Sequence, residues 1–220
     1  MNTTASRDNV ELIGTGISHR FGTIDVLHSV ALSIRCGEWV ALTGPSGSGK
    51  TTLLAIMGGL LEPTAGNTCV IDAAGGRHSG TGRSVAWVLQ TATAIGSRSV
   101  IDNAALGGLS AGLRSAPAAR AAALVLAAVG LDQRMWHRTR DLSGGELQRL
   151  SIARALASAR PFLFADEPTG QLDRTTSDQV LDAMESACSD VGVLIATHDP
   201  FVAERCQRTL TLHNGQLDEL

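Results

Sequence analysis

Short apolar stretches recur along the chain, separated by glycine-rich or polar segments. Apolar residues that alternate with a period of two are typical of half-buried β-strands, and short continuous apolar runs are typical of fully buried ones. This pattern predicts strands at 10–18, 26–34, 38–43, 68–72, 84–89, 161–165 and 191–197. A closing β-hairpin is predicted around Asn214-Gly215, because this dipeptide favours a tight turn.

Apolar residues at helical spacing fill several of the intervals between these strands. Helical spacing over 50–61 predicts a helix that stops near Gly58-Gly59, and further helices are predicted at 118–129, 143–158 and 175–189. Residues 72–83 are rich in glycine and charge and are expected to form an exposed loop. Strands that alternate with helices indicate an α/β fold with a mostly parallel sheet, whose ligands bind beyond the carboxyl ends of the strands.

The order of the elements also predicts how the chain divides. Residues 1–9 are polar and are expected to form a flexible tail. One domain is predicted over residues 10–220, with a core at about 10–90 and 159–220. A mainly helical block at about 91–158 interrupts that core.

Composition and charge exclude some classes of function. The net charge is −3, so no broad basic face is available and binding to nucleic acid is not expected. No apolar run approaches the roughly 18 residues that span a bilayer. The four cysteines have no paired spacing, which favours free thiols in a reducing compartment. The chain is therefore expected in the cytosol.

A glycine-rich segment directly after the 38–43 strand matches the pattern G-x-x-x-x-G-K-[ST]. It consists of Gly44, Pro45, Ser46, Gly47, Ser48, Gly49, Lys50 and Thr51, and Thr52 continues into the predicted helix. Glycines let backbone N–H groups turn toward phosphate oxygens, and the helix N-terminus adds positive potential. Lys50, the one lysine of the chain, suits β- and γ-phosphates, and the Thr51 hydroxyl suits Mg²⁺. A flexible glycine turn would explain the glycines alone.

A second candidate site is Leu142-Ser143-Gly144-Gly145-Glu146, followed by Leu147-Gln148-Arg149. Ser143 and Glu146 have the spacing of a capping box at a helix start. A capping box does not require the two glycines, which weaken a helix but let a ligand approach the backbone amides. The segment therefore predicts a second helix N-terminus that binds phosphate.

Polar side chains follow three of the predicted strands. Asp166 and Glu167 end the 161–165 strand, where two adjacent carboxylates are tolerable if a cation binds there. Asp166 would bind Mg²⁺, and Glu167 would act as general base toward water. His198 follows the 191–197 strand and Gln90 follows the 84–89 strand. Taken alone, a histidine or a glutamine at the end of a strand is an ordinary surface residue. A solvated turn would also explain Asp166 and Glu167.

These motifs, in this order over residues 13–216, resemble those of ABC-type nucleotide-binding domains. The resemblance implies a P-loop NTPase fold, with a RecA-like core, antiparallel strands and a helical subdomain that carries 142–146. It implies that Glu167, His198, Gln90 and Lys50 are catalytic and that Gln90 also contacts the magnesium. Phe21 takes the place of the family's adenine-stacking tyrosine; ordinary strand packing is the other interpretation.

Finer features, such as the run Asp166-Glu167-Pro168-Thr169-Gly170, resemble one subfamily. That group serves lipoprotein release, macrolide export, antimicrobial-peptide export and a cell-division system. It usually has a leucine-proline segment after the glutamine, whereas residues 91–99 read TATAIGSRS here. Because this stretch should face the membrane partner, the difference leaves that partner unidentified.

The resemblance also implies a mechanism and partners. Two copies would form a head-to-tail homodimer that encloses two Mg-ATP, each between residues 44–51 of one copy and 143–146 of the other. ATP would close the dimer and hydrolysis would open it. A separate integral membrane subunit would receive the motion, with the chain held at the cytoplasmic face of the membrane.

Three other functions share part of this evidence. The same ATP cycle could transmit force through a membrane partner, for instance to control cell-wall enzymes, without transport. A soluble ATPase acting on nucleic acid or ribosomes usually has two such domains or long coiled-coil insertions, and this chain has neither. A small-molecule kinase would share residues 44–51, but residues 142–146 and His198 argue against it.

Overall fold

The computed structural model describes residues 9–219, without the side chain of Glu219. The predicted tail at 1–9 therefore lies, except for Asn9, outside the described residues, as does Leu220. The chain forms two compact units, one of residues 9–85 with 190–219 and one of residues 86–189. The division predicted at 91–158 stays a prediction.

An antiparallel sheet fills part of the first unit. It contains β1 (Glu11–Phe21), β2 (Ile24–Arg35), β4 (Ala65–Ile71) and β5 (Arg77–Ser79), in the order β2-β1-β4-β5. Alternate residues of β1 and β2, such as Leu12, Ile17 and Ile34, are fully buried, as the period-two pattern predicts. Register shifts interrupt the β1–β2 pairing after Gly14, so β1 is longer than predicted but irregular.

A second group of strands in this unit positions the predicted phosphate site. It contains β3 (Trp39–Thr43), β8 (Gly192–Ala196), β9 (Arg208–His213) and β10 (Gln216–Glu219), in the order β10-β9-β3-β8. β3 is parallel to both β8 and β9, and Leu42 pairs with Ala196. Because parallel strands end at the same edge, the segments that follow β3 and β8 emerge side by side. β9 and β10 form the predicted hairpin.

Two helices accompany these strands: α1 (Lys50–Met57) and α6 (Pro200–Glu204). α1 buries Leu53, Leu54, Ile56 and Met57 and ends at Met57 with Gly58 as its C-cap, which confirms the predicted stop near Gly58-Gly59. The expectation of a plain loop at 72–83 is wrong, because β5 and a 3₁₀ turn (Thr81–Arg83) lie within it. The Asp72 carboxylate organises this hairpin, since it accepts hydrogen bonds from the amides of Ala74 (2.9 Å) and Gly76 (2.8 Å).

The second unit is mainly helical. Its helices are α2 (Val100–Ser110), α3 (Ser115–Ala128), α4 (Gly144–Leu156) and α5 (Arg174–Ala187). α2 and α4 cross so closely that a Cβ atom on Gly107 would lie 1.8 Å from the Arg154 carbonyl oxygen. The strands are β6 (Val85–Val88, within this unit from Ala86 onward) and β7 (Phe162–Asp166), which are hydrogen-bonded neighbours.

None of the helices within residues 9–219 is both long enough and apolar enough to cross a lipid bilayer.

Asp173 begins α5, and we expect its cap to make the stability of the protein depend on pH. Its carboxylate accepts hydrogen bonds from the backbone N–H (3.0 Å) and the hydroxyl (2.7 Å) of Thr176. The Thr176 amide first, and its hydroxyl second, lower the pKa of Asp173 below its ordinary value. A carboxylate with a depressed pKa in the folded state stabilises that state above the unfolded pKa of about 3.9, and the contribution disappears as the pH falls through the folded pKa.

Asp173→Asn keeps a capping side chain but removes the titrating group. We therefore expect a lower thermal unfolding midpoint than wild type at neutral pH, with a gap that narrows as the pH falls below about 4. Thermal unfolding followed by circular dichroism across the acid range measures this gap. Asp132→Asn removes an exposed carboxylate from a 3₁₀ turn of the same unit and serves as the control. A gap that stays constant with pH would contradict the assignment.

Candidate functional site

The predicted phosphate segment is a glycine-rich turn that leads from β3 into α1. Gly44, Gly47 and Gly49 have φ angles of 140°, 77° and 103°, which residues with a side chain rarely adopt. At Gly44 a Cβ atom would lie 2.2 Å from the carbonyl oxygen of Leu212. The backbone conformation therefore requires glycine at these positions. Residues 45–47 of the turn are exposed to solvent.

Several features of this turn suit an anionic ligand. Lys50 Nζ donates hydrogen bonds to the carbonyl oxygens of Gly44 (2.7 Å) and Pro45 (3.0 Å), so the ammonium group lies against the turn. α1 has no side-chain cap and no acidic residue in its first turn, so its N-terminus keeps its positive potential. The Ser48 hydroxyl is buried and has no hydrogen-bond partner among the described residues. Phosphate oxygens could satisfy these donors.

His198 lies two residues after the end of β8 and is exposed in the first unit. The backbone N–H of Thr197 bonds to the carbonyl oxygen of Leu42 (3.0 Å), which fixes this segment beside the end of β3. Asp199 then caps α6 by accepting a hydrogen bond from the Phe201 amide (3.0 Å). The fold thus places His198 and the phosphate turn at the same edge of the sheet.

Phe21 ends β1 with 52% of its surface exposed, so its ring is open to a ligand. The ring of His19 lies edge-on to it at a centroid distance of 4.6 Å. His19 is buried, and neither of its ring nitrogens has a hydrogen-bond partner among residues 9–219. This support beneath Phe21 was not predicted, although the i, i+2 spacing on one strand is a signal for it.

In the second unit, Ser143 caps α4 as the sequence predicts. The Ser143 hydroxyl accepts a hydrogen bond from the Glu146 amide (3.3 Å), and the Glu146 carboxylate accepts one from the Ser143 amide (2.8 Å). This confirms the predicted capping box. The Ser143 amide is the main cause of a Glu146 pKa below its ordinary value.

The two glycines of this helix start differ in what requires them. A Cβ atom on Gly145 would lie 2.3 Å from Thr176 Cγ2, so packing against α5 requires glycine there. On Gly144 the Cβ atom would lie 3.7 Å from Leu172 Cδ2, which is an ordinary contact. Gly144 is exposed, and nothing described within the unit excludes a side chain from it. A ligand that approaches the backbone would explain glycine at this position.

Asp166 ends β7, and Glu167 follows it with a φ of 47°. A non-glycine residue in this left-handed region is strained, and such residues are common at functional sites. Both side chains are half-buried. A Cβ atom on Gly170 would lie 3.5 Å from Glu167 Cβ and 3.8 Å from Gln90 Nε2, so the fold brings Gln90 and Glu167 to the same glycine.

Residues 91–99, which follow Gln90, are tied to the helices of the second unit. Arg154 of α4 donates to the Thr93 carbonyl (2.8 Å), and the Thr139 hydroxyl donates to the Ile95 carbonyl (2.8 Å). The Asn103 side chain accepts from the Ile95 amide (2.8 Å). A cavity of about 350 Å³ lies in the same unit between β6, α2 and α4, with Trp87, Leu106, Gly107 and Arg154 in its wall.

Arg134, which contacts the start of α4, was not among the residues predicted from the sequence. Arg134 donates from Nε to Glu146 Oε1 (2.9 Å), and the two residues are 12 positions apart. Neither helical nor strand periodicity connects positions at that distance, so the pattern of the chain contains no signal for the pair.

The predicted site residues therefore fall into two sets, one in each unit. Residues 44–51, His198 and Phe21 belong to the first unit. Gln90, residues 143–146, Asp166 and Glu167 belong to the second. Their individual roles stay predictions.

Comparison with known proteins identifies the family. Residues 27–170 match the family model described as ABC transporter. The chain is 44% identical over 207 residues to the lipoprotein-releasing system ATP-binding protein LolD of Novosphingobium aromaticivorans, covering 89% of this chain and 91% of that protein. It is 38% identical over 204 residues to the ABC transporter ATP-binding protein YbbA of Escherichia coli, covering 89% and 90%.

Solved structures agree with these relatives. The dimeric structure of MJ0796, described as a bacterial ABC transporter cassette, has a TM-score of 0.77 and 29% identity and covers 95% of this chain and 98% of its own. A second dimeric MJ0796 structure, a post-hydrolysis state with ADP and Pi, has a TM-score of 0.76, 28% identity and the same coverage. The predicted α/β fold with its P-loop, antiparallel strands and helical part is that of these cassettes. The chain belongs to the ABC transporter family, of which it is an ATP-binding and ATP-hydrolysing subunit.

Proposed function

We propose that two copies of this chain enclose two ATP molecules and that closure of this dimer drives a separate membrane protein. Each triphosphate would bind to residues 44–51 of one copy and to residues 143–146 of the other. The observation that carries the proposal is the pair of helix N-termini. α1 has no side-chain cap and begins at Lys50, and α4 begins at Gly144, an exposed position where no contact within the second unit excludes a side chain. Both present backbone amides to an anion.

Within this arrangement each residue has a proposed task. Lys50 and the amides of the turn would hold the β- and γ-phosphates and stabilise the charge that develops during hydrolysis. Glu167 would accept a proton from the attacking water, and His198 would hold the γ-phosphate and that water in line. Phe21, exposed at the end of β1, would stack on the adenine ring.

The donor set suits magnesium. Thr51, Gln90 and Asp166 offer a hydroxyl, an amide oxygen and a carboxylate, and Mg²⁺ prefers oxygen ligands. No cluster of three His, Cys, Asp or Glu side chains that could hold a metal occurs in the described part of the chain. That agrees with an ion that takes most of its ligands from phosphate and water. Thr51, Gln90 and Asp166 would hold the ion, which when bound would supply positive charge against the phosphate groups.

The membrane partner would dock beside residues 91–99. Hydrogen bonds from Arg154 and Thr139 connect this segment to α4 and to the turn before Ser143, so a shift of one can be transmitted to the other. We place the chain at the cytoplasmic face of the membrane, bound through that partner. Because its relatives include LolD proteins named for lipoprotein release, we propose export or release of a substrate chosen by the membrane subunit.

Ser143→Arg is expected to prevent ATP-driven dimerisation and to reduce ATP turnover to background. The arginine side chain would occupy the space at the α4 N-terminus that the triphosphate of the other copy needs. Size-exclusion chromatography with light scattering, with and without Mg-ATP, measures the dimer, and phosphate release measures turnover.

Ser115→Arg is the matched control, because Ser115 is an exposed residue in the first turn of α3 in the same unit. It should dimerise and turn over like wild type. ATP-driven dimers of Ser143→Arg would show that this helix start is not part of a shared site. Co-purification from membranes, followed by a vesicle assay for substrate movement, then separates transport from force transmission without transport.

A further inference from the structure

The Glu146 carboxylate uses both of its oxygens at the start of α4. Oε2 accepts the hydrogen bond from the Ser143 amide (2.8 Å), and Oε1 accepts the one from Arg134 Nε (2.9 Å). The side chain of Glu146 is only 16% exposed, whereas that of Arg134 is 46% exposed, so water reaches the pair from the arginine side. The two hydrogen bonds hold the negative charge of Glu146 in the first turn of the helix.

A negative charge at this position opposes the proposed binding of a triphosphate. Glutamine at the same position would complete a capping box without any charge. The chain has glutamate instead, together with an arginine hydrogen-bonded to it, so the pair is close to neutral as a whole. Two opposite charges in contact cancel much of each other's field at a distance of one helical turn.

The backbone around Arg134 fixes where this arginine can reach. Arg134 ends a 3₁₀ turn (Asp132–Arg134), in which its amide bonds to the Leu131 carbonyl (3.0 Å). Its own carbonyl accepts the His137 amide (2.9 Å). Arg134 is 46% exposed, and ion pairs with an exposed partner contribute little to folding stability. A contribution to folding stability alone is therefore a weak explanation for the Arg134–Glu146 ion pair.

We propose that Arg134 is a positioning residue for ATP binding: it holds Glu146 in the capping geometry and cancels its charge. The amides of Gly144 and Gly145 then keep their positive potential toward the triphosphate. The inference rests on the proposed function, since it concerns the same helix start.

The test compares Arg134→Ala, Arg134→Lys and the double variant Arg134→Ala with Glu146→Gln. Arg134→Ala leaves the Glu146 charge uncompensated, so the ATP concentration for half-maximal turnover should rise about three- to tenfold while kcat changes little. Arg134→Lys keeps a positive charge and should recover much of the affinity. The double variant removes both charges but keeps a capping side chain, so it should bind ATP more tightly than Arg134→Ala alone.

Ionic strength provides a second readout that a purely structural role would not affect. Salt screens the exposed side of the pair, so the defect of Arg134→Ala should shrink as salt is raised. Arg140→Ala is the control, because Arg140 lies 3.8 Å from Asp141 with both side chains exposed (73% and 57%). It should match wild type at every salt concentration. If Arg134→Ala fails to fold, Arg134→Gln makes the same comparison.

Two results would overturn the inference: an Arg134→Ala enzyme with wild-type ATP dependence, or a double variant as weak as the single one. Ser143→Arg is measured alongside, so that failure of the Arg134 inference can be distinguished from failure of the proposed function. If wild type hydrolyses ATP and Ser143→Arg does not, failure of the Arg134 series concerns only Arg134. If wild type forms no ATP-driven dimer, the proposed function itself fails.

Discussion

Replacing Lys50 with alanine is expected to abolish ATP hydrolysis and to weaken ATP binding. Lys50 lies in the first turn of α1, and its ammonium group contacts the carbonyl oxygens of Gly44 and Pro45. In the proposed site it would contact the β- and γ-phosphates of a nucleotide bound in the turn. Loss of one preorganised donor to a transition state costs about 10²- to 10³-fold in rate, and Lys50 also contributes a full charge.

The chain offers an unusually direct assay for this residue. Lys50 is its one lysine, so an amine-specific reagent can modify only Lys50 and the α-amino group. We expect Mg-ATP to protect Lys50 from labelling, as read by peptide mass spectrometry. Arg83→Ala removes an exposed positive charge from the same unit and should leave turnover unchanged. Full turnover by Lys50→Ala, or labelling that ATP does not affect, would exclude residues 44–51 as the phosphate site.

Much of the site could be predicted because its motifs are local. Residues 44–51 lie between a strand and a helix, and the conformations of Gly44, Gly47 and Gly49 follow from what only glycine allows. The capping box at Ser143 likewise depends on two residues three positions apart. For such segments the sequence pattern and the structure contain the same information.

Other features depend on contacts between distant parts of the chain. The pairing of Arg134 with Glu146 requires α3 and the turn after it to bring the arginine to the start of α4. The clash that makes Gly145 necessary involves Thr176, on a different helix. Residues 72–83 were expected to be a loop because of their composition, whereas the Asp72 side chain organises them into a hairpin. Composition alone does not contain such side-chain geometry.

Glu167→Gln is expected to bind ATP, to hydrolyse it very slowly and to accumulate as a dimer. The substitution keeps the shape of the side chain but removes the group that would accept the proton of water. Loss of a general base costs about 10²- to 10⁴-fold in rate. ATP would still close the dimer. Because hydrolysis opens it and would be very slow in this variant, the closed dimer would persist. Light scattering with Mg-ATP should show a persistent dimer, and single-turnover phosphate release should show the slow step.

Glu185→Gln, which removes a carboxylate from an exposed position on α5, is the matched control and should turn over normally. Normal turnover by Glu167→Gln would show that Glu167 is not the base. A Glu167→Gln protein that neither binds ATP nor dimerises would indicate a different task for this carboxylate, such as holding the metal.

The backbone of Glu167 allows a test in which stability and activity move in opposite directions. At a φ of 47° a glutamate is strained, and glycine at that position relieves a cost of about 1 kcal/mol or more. Glu167→Gly should therefore unfold at least as late on heating as Glu167→Gln, yet hydrolyse no ATP. If Glu167 were only an acidic residue in a solvated turn, glycine would leave turnover intact. Loss of hydrolysis without loss of stability in Glu167→Gly would assign the carboxylate at this strained position to the reaction and not to folding.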